Sequence, residues 1–303
     1  MPRLRATLSS PARLSPHKRI TSPTRRSPTG GEPKESSGAR MHQLLNERVT
    51  LTFADHVAEV MLSRPNHHNG LDWAMIDGLL AAQHCLTQLA GLRAVVLSGD
   101  GDSFCAGLDM ASIMSEAERL PTLLAPDEAG INPVQRLALG WREAGVPVVA
   151  ALHGHVYGGG LQVALGADIR ILHPRAKLAL LEIDWGIIPD MAISVTGAGL
   201  RQDVLQELAI SGRKVSGEEA YQLGLGSRLS DTPQEVARET AALIASRSPK
   251  AVAAARELFA RGPDLAPRDR LALEAHLQRQ LLAGAEQREA VSARMERRAP
   301  RFD

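Results

Sequence analysis

Aromatic side chains are nearly missing from this chain: two Tyr, three Trp and four Phe stand among 303 residues. The core must therefore be built from Ala, Leu, Val and Ile. Cysteine is almost as rare. Cys85 and Cys105 lack the spacing of a zinc site or a redox pair, and no secretory signal precedes them. A reducing, cytoplasmic setting is the simplest expectation. No apolar run approaches the ~18–20 residues of a membrane helix. Net charge is also small, at +1, but unevenly spread. Residues 1–40 hold nine of the 35 Lys/Arg and two of the 34 Asp/Glu, so residues 41–303 carry 26 against 32. That larger part offers no basic face that would argue for nucleic acid.

What is present fits a globular protein with one large or two modest domains: 44% of residues are hydrophobic and 23% charged. The opening stretch differs. Six prolines and many Ser and Arg in residues 1–40 leave little apolar surface to offset ordering entropy, so a disordered basic tail is expected over 1–43. A transit peptide fits its composition, but the prolines oppose an amphipathic helix. A partner-binding tail is a second reading. A start of synthesis at Met41 is the expectation adopted.

Order is expected from Leu44. Val49–Phe53 and Val57–Ser63 read as strands joined by a turn at Ala54-Asp55-His56. Asp72 can cap a helix carrying Ile76, Leu79, Leu80, Leu86 and Ala90 on one arc. Arg93–Ser98 is a strand, and 110–130 reads as an irregular surface loop. Asn132-Pro133 opens a helix with Val134, Leu137, Ala138 and Trp141 inward. Pro147–Val156, Ile169–Leu172 and Leu178–Leu181 read as strands. Capping boxes at Ser216-x-x-Glu219 and Thr232-x-x-Glu235 then announce helices that run to about Arg297. The plan is an α/β part over 44–232 and a helical segment over 233–303.

Three adjacent glycines, Gly158 to Gly160, sit between a strand and a helix. A tight turn explains one or two of them. Without Cβ atoms, a ligand oxygen can approach the unpaired N–H groups of a helix start. Neither the Walker spacing nor Gly-x-Gly-x-x-Gly is present, which favours a developing oxyanion over a phosphate. A second small-residue corner, Ala106-Gly107 in SFCAGLDM, offers the Leu108 N–H as another donor.

The pairing of SFCAGLD with ALHGHVYGGGLQVALGADIRI resembles the crotonase (enoyl-CoA hydratase/isomerase) superfamily. LSRPNHHNGLDWAMIDGL, KLALLEIDWGIIPD, SGRKVSGEEAYQLGL and EQREAVSARMERRAPRF match in family order, from about Leu44 to Phe302. The resemblance implies an α/β fold, a crotonase-like spiral of ββα units with a helical C-terminal trimerisation segment, assembled as a trimer or hexamer. It implies an acyl-CoA thioester substrate, with coenzyme A entering as part of that substrate and no separate cofactor or metal. The oxyanion donors map to the Leu108 and Gly159 amides. CoA would lie along Arg64, Asn66, His68, Ala106, Asp109 and Met110, with Gly160 and Gln162 beside the substrate.

The acids separate the activities within this resemblance. Family hydratases hold water between two glutamates; their positions here are Gln162 and Glu182. Glutamine can orient water but cannot take its proton. Pro189-Asp190-Met191-Ala192 replaces the hydratase Pro-Gly-x-Gly-Gly. The spacing of Glu182 and Asp190 is similar to the acid pair of dienoyl-CoA isomerases, although those carry Asp at the Gln162 position. Simple Δ3-Δ2 enoyl-CoA isomerases manage with one glutamate at the Glu182 position. The expectation is therefore an isomerase acting through an oxyanion-stabilised dienolate. Glu182 is its base and acid, and Asp190 is a second acid or else a helix cap. Water addition to 2-trans-enoyl-CoA, and CoA-ester binding with little turnover, are the alternatives. An apolar pocket from Ile183, Trp185, Ile187 and Ile188 would raise the Glu182 pKa. His67, His68, His153 and His155 have structural or CoA-lining roles, and Cys105 is a core residue.

Overall fold

Alternating apolar and polar residues make half-buried strands of Val49–Ala54 and Val57–Leu62, and Asp55 and His56, both at positive φ, close them into a hairpin. The structure is a computed structural model that describes residues 41–302. The expectations for residues 1–40 lie outside the described residues. Strand β1 (Met41–Leu45) begins three residues before Leu44 and pairs antiparallel with β2 (Val49–Ala54), which pairs antiparallel with β3 (Val57–Leu62).

The chain continues through α1 (Trp73–Gln88), β4 (Ala94–Gly99), α2 (Met110–Ser115), α3 (Leu120–Leu124), α4 (Pro133–Leu139), β5 (Val148–Leu152) and β6 (His155–Tyr157). Next come α5 (Gly159–Leu165), β7 (Ile169–Leu172), β8 (Lys177–Ala179), α6 (Ile193–Thr196), α7 (Gln202–Ser211), β9 (Val215–Ser216), α8 (Gly217–Gln222) and β10 (Arg228–Leu229). Four helices close it: α9 (Pro233–Ala245), α10 (Pro249–Arg261), α11 (Pro267–Leu281) and α12 (Ala285–Met295). None of these helices is long and apolar enough to cross a membrane.

Seven strands form one sheet in the order β1-β2-β3-β4-β5-β7-β10, parallel from β3 onward, and β6-β8-β9 form a second. Successive strand pairs are shared between the two. β5 joins the large sheet and β6 the small one, and β7 and β8 repeat the division. After β4, Cys105 bridges to Val156 at the edge of β6. The molecule is thus a spiral of ββα units.

The central strands are apolar throughout because both faces are covered. Val95, Leu97, Val148, Ala150 and Leu152 face the layer that contains α1, while Ala94, Val96, Val149 and Ala151 face α9. α9 meets them with Ala237 and Ala241, so small side chains on both partners let the helix lie close to the sheet.

Several expectations need correction. Pro147–Val156 is not one strand: it breaks at Gly154, whose φ is +55°, and a Cβ there would stand 1.8 Å from the Asp102 carbonyl oxygen. The break is where the chain changes sheets. Residues 110–124 hold α2 and α3 instead of an irregular loop. Both are too short to display a 3.6-residue period, and tertiary contacts hold them: Arg119 lies 4.1 Å over the Trp73 ring and bonds Glu116 and Asp77. Ala90 lies beyond α1 and is exposed. Thr232 precedes Pro233 but makes no side-chain cap, whereas Ser216 accepts from the Glu219 N–H and Asn132 forms a full box with Gln135.

Asp72 is the junction of the early elements. Its carboxylate caps α1 through the Met75 N–H at 2.7 Å and pairs with Arg48 at 3.0 Å and Arg64 at 3.2 Å. Asp72→Ala is expected to lower unfolding free energy by roughly 2–3 kcal/mol, from a lost cap and two largely buried cations deprived of a partner. The urea midpoint should fall with the slope unchanged; an unmoved midpoint would contradict the junction role.

Candidate active site

Two loops meet because short stretches of backbone pair in parallel. The Phe104 N–H donates to His153 O at 2.9 Å, the Cys105 N–H to His155 O at 3.0 Å, and the Tyr157 N–H to Cys105 O at 2.9 Å. Both stretches then run off the same end, into Ala106–Leu108 and Gly158–Gly160. Gly107 has φ +88°, and a Cβ on it would lie 2.8 Å from Tyr157 O and 3.6 Å from the Gly159 nitrogen. Among the described residues, neither the Leu108 nor the Gly159 N–H donates to a backbone oxygen. Two candidate oxyanion donors therefore stand free on loops packed backbone against backbone.

Each glycine of the triplet has its own neighbour. A Cβ on Gly160 would meet Cys105 O at 2.5 Å, and one on Gly159 would meet Met191 Sδ at 2.9 Å. Gly158, at φ +49°, would place a Cβ 3.2 Å from Glu182 Oε1. Glu182 reaches this spot through the small sheet. Tyr157 pairs with Ala179, the Gly158 N–H donates to Ala179 O at 2.8 Å, and Glu182 opens the 3-10 turn just beyond β8.

Glu182 is 7% exposed and Gln162 1%. Gln162 Nε2 donates to Glu182 Oε1 at 2.6 Å, and the Met191 N–H donates to Gln162 Oε1 at 2.8 Å. Glu182 Oε2 is buried with no hydrogen-bond partner among the described residues. Burial is the largest influence on this carboxyl and raises its pKa above the usual range. The charge of Asp190 adds to the rise, and hydrogen bonds from Gln162 and the backbone only partly offset it. The burial does not come from the apolar residues that follow in sequence. Trp185 is 61% and Ile188 73% exposed, and Ile183 and Ile187 are exposed as well.

Asp190 is not a helix cap. Ala192, at φ +58°, occupies the cap position of α6. The Asp190 side chain lies toward the surface, with partial burial raising its pKa.

The residues expected along CoA divide into two groups. Arg64 is not a free cation. Its guanidinium is drawn inward onto Asp109 at 2.8 Å, Asp72 at 3.2 Å and Gly70 O at 3.2 Å. Burial works to raise the Asp109 carboxyl, but Arg64 and the Ser112 N–H outweigh it and hold the group below the usual range. His68 contacts Ser103 Oγ at 3.1 Å and the His155 ring, and its carbonyl accepts the Ala106 N–H at 2.9 Å. Asn66 is exposed on the turn, Met110 begins α2, and Gly160 lies inside α5.

Asn69 was not singled out in the sequence, yet it is fully buried and ties the turn to the loop that leads to Ala106. It accepts the Arg64 N–H at 2.8 Å and donates to Asp100 O and Ser103 O at 2.9 and 2.7 Å. Its only signal was the Asn-Gly pair closing RPNHHNG. Met191, which anchors Gln162, carried no signal.

Cys105 is fully buried, and that burial pushes its thiol up to about 12 despite a hydrogen bond from the Gly107 backbone. At pH 8 roughly one thiol in 10⁴ would be ionised, so Cys105 should resist a thiol reagent in the folded protein. Cys85, partly exposed, should react. Modification of both cysteines at equal rates would contradict this placement.

The enoyl-CoA hydratase/isomerase family profile matches residues 52–303. The chain is 32% identical over 259 residues to the (E)-benzylidenesuccinyl-CoA hydratase of Thauera aromatica, covering 84% of this chain and 98% of the relative. It is 28% identical to the peroxisomal Delta(3,5)-Delta(2,4)-dienoyl-CoA isomerase of Arabidopsis thaliana, covering 81% and 92%. Among solved structures, the enoyl-CoA hydratase from Bacillus anthracis superposes with a TM-score of 0.74 at 27% identity, covering 84% of this chain and 98% of that one. The spiral of ββα units, the convergent glycine loops and these likenesses agree: the chain belongs to the enoyl-CoA hydratase/isomerase family.

Proposed function

We propose that this protein moves a carbon–carbon double bond in an acyl-CoA thioester, as an enoyl-CoA isomerase. One observation carries this reading. The partner of Glu182 is a primary amide engaged at both ends, so no second carboxylate stands there to deprotonate water. The thioester oxygen accepts from the Leu108 and Gly159 N–H groups, each worth on the order of 3–4 kcal/mol to the enolate-like transition state. Polarised in this way, the thioester loses a C2 proton to ionised Glu182. The electrons spread over a dienolate from the carbonyl to C4. Glu182 then delivers a proton, the same one or one exchanged with solvent, to C4, and the double bond comes to rest between C2 and C3. Nothing is oxidised or reduced, and coenzyme A serves only as the substrate's own thioester. Asp190 would serve a more distant carbon in a dienoyl substrate, as the likeness to the Arabidopsis isomerase suggests.

The likeness to the Thauera hydratase favours a second reading, in which Gln162 and Asp190 position a water that adds to 2-trans-enoyl-CoA. Heavy water separates the two. With 3-enoyl- and 3,5-dienoyl-CoA, deuterium should enter carbons of the migrating system, and Glu182→Gln should lower turnover on the order of 10²–10⁴-fold while thioester binding persists. Label appearing only in a C3-hydroxyl product would overturn the isomerase reading. The base must be ionised and its pKa is raised, so kcat/KM should hold on the alkaline side. It should fall as pH drops through a value above the ordinary 4.5.

We also propose a trimer, or a hexamer of two trimers. Support comes from apolar side chains left uncovered on the last helices, among them Phe259 at 78% and Met295 at 80% exposure, with Leu271 and Leu282 alongside. Sedimentation should give three or six times the 32.5 kDa chain mass; a monomer at micromolar concentration would contradict it.

A further inference from the structure

We propose that Gln162 is a positioning residue: it commits Glu182 Oε1 to a fixed hydrogen bond and leaves Oε2 as the one atom that accepts and returns the substrate proton. This inference rests on the reading of Glu182 as the base. The orientation of the Gln162 amide follows from chemistry. The Met191 N–H can only donate, so the atom 2.8 Å from it is the amide oxygen. The NH2 group must then face Glu182 Oε1, 2.6 Å away. An NH2 donor cannot accept a proton from Oε1. When Glu182 is protonated, its hydrogen therefore sits on Oε2.

Oε2 is the buried atom with no internal partner. An unpaired carboxylate oxygen in that position is costly unless something arrives to meet it. The substrate C–H is that partner. Gly158 assists by omission, since a Cβ there would stand 3.2 Å from Oε1 and crowd the oxygen that Gln162 holds. Pickup and return of the proton through one oxygen require no rotation of the carboxyl group. The proton then travels along a single face of the acyl chain.

Gln162 thus has an electrostatic role that simple packing would lack. Its NH2 stabilises the ionised form of Glu182, against burial and the field of Asp190. Gln162 on α5, the Gly158 turn and the Met191 N–H are neutral, and Asp190 is the charged side chain whose field bears on Glu182 among the described residues.

The test compares wild type with Gln162→Met and Gln162→Glu. Methionine preserves length and removes both hydrogen bonds. Glutamate retains an acceptor for the Met191 N–H, which protects the fold, but places a second carboxyl against the first. In Gln162→Met the ionised form loses support, so the Glu182 titration should move upward by about one pH unit or more; in Gln162→Glu the two carboxyls titrate as a coupled pair whose upper midpoint should lie above the wild-type value. The titration is read by 13C NMR of glutamate-labelled protein, with the signal assigned by its loss in Glu182→Gln. The acid limb of kcat/KM should move in parallel, with kcat lowered and KM nearly unchanged. A Glu182 midpoint that stays put or moves downward in folded Gln162→Met, or an upper midpoint of the Gln162→Glu pair no higher than the wild-type value, would overturn the positioning role. The NMR titration needs no substrate. If it moves as expected while the wild type migrates no double bond, the role of Gln162 stands and the isomerase reading falls.

Discussion

Three backbone hydrogen bonds between Phe104-Cys105 and the His153–Tyr157 stretch hold the site together. They bind two segments some fifty residues apart into one parallel ladder and release them at the same end. The Ala106–Leu108 corner and the glycine turn then have no freedom to separate. Every later feature depends on this pairing. The Leu108 and Gly159 amides stand on adjacent loops because of it, and Gly107 and Gly160 must lack side chains because the ladder brings their neighbours so near. The small sheet extends the same logic. Pairing of β6 with β8 carries the chain to Glu182 and sets its carboxylate against the turn.

The site is built mostly of neutral groups around one buried acid. A carboxylate out of water with one oxygen unsatisfied is a local cost to stability, and the surrounding fold must absorb it. The charged residues nearby do structural work instead. Arg64 is occupied by Asp72 and Asp109, which ties the turn after β3, the start of α1 and the start of α2 to one another. Asn69 performs the corresponding task with neutral hydrogen bonds. The candidate site thus combines main-chain amides set by the backbone pairing with one carboxyl held by the Gln162 side chain.

Much of this arrangement was legible in the sequence, for identifiable reasons. Three consecutive glycines after a strand are costly to maintain, and each turned out to face a different neighbour: Glu182, Met191 and Cys105. Parallel strands covered on both sides read as continuous apolar runs, so β4 and β5 were visible. What could not be read depended on distant partners. Gly154 breaks its strand because the Asp102 carbonyl stands against it, which no local pattern reveals. The pairing of Arg64 with Asp109, far along the chain, is likewise invisible to a local pattern. Apolar residues around Glu182 suggested a pocket, yet Ile183, Trp185, Ile187 and Ile188 are exposed, and the neighbours of the carboxyl are Gln162 and Gly158, distant in sequence. α2 and α3 are too short to show a period.

The most direct test of the central claim is a crystal structure with an unreactive acyl-CoA thioester bound. The thioester oxygen should lie about 2.7–3.1 Å from both the Leu108 and Gly159 nitrogens, the spacing of a working oxyanion hole, with Glu182 Oε2 over the C2–C4 segment. A thioester oxygen bonded elsewhere, or an acyl chain directed away from Glu182, would contradict it.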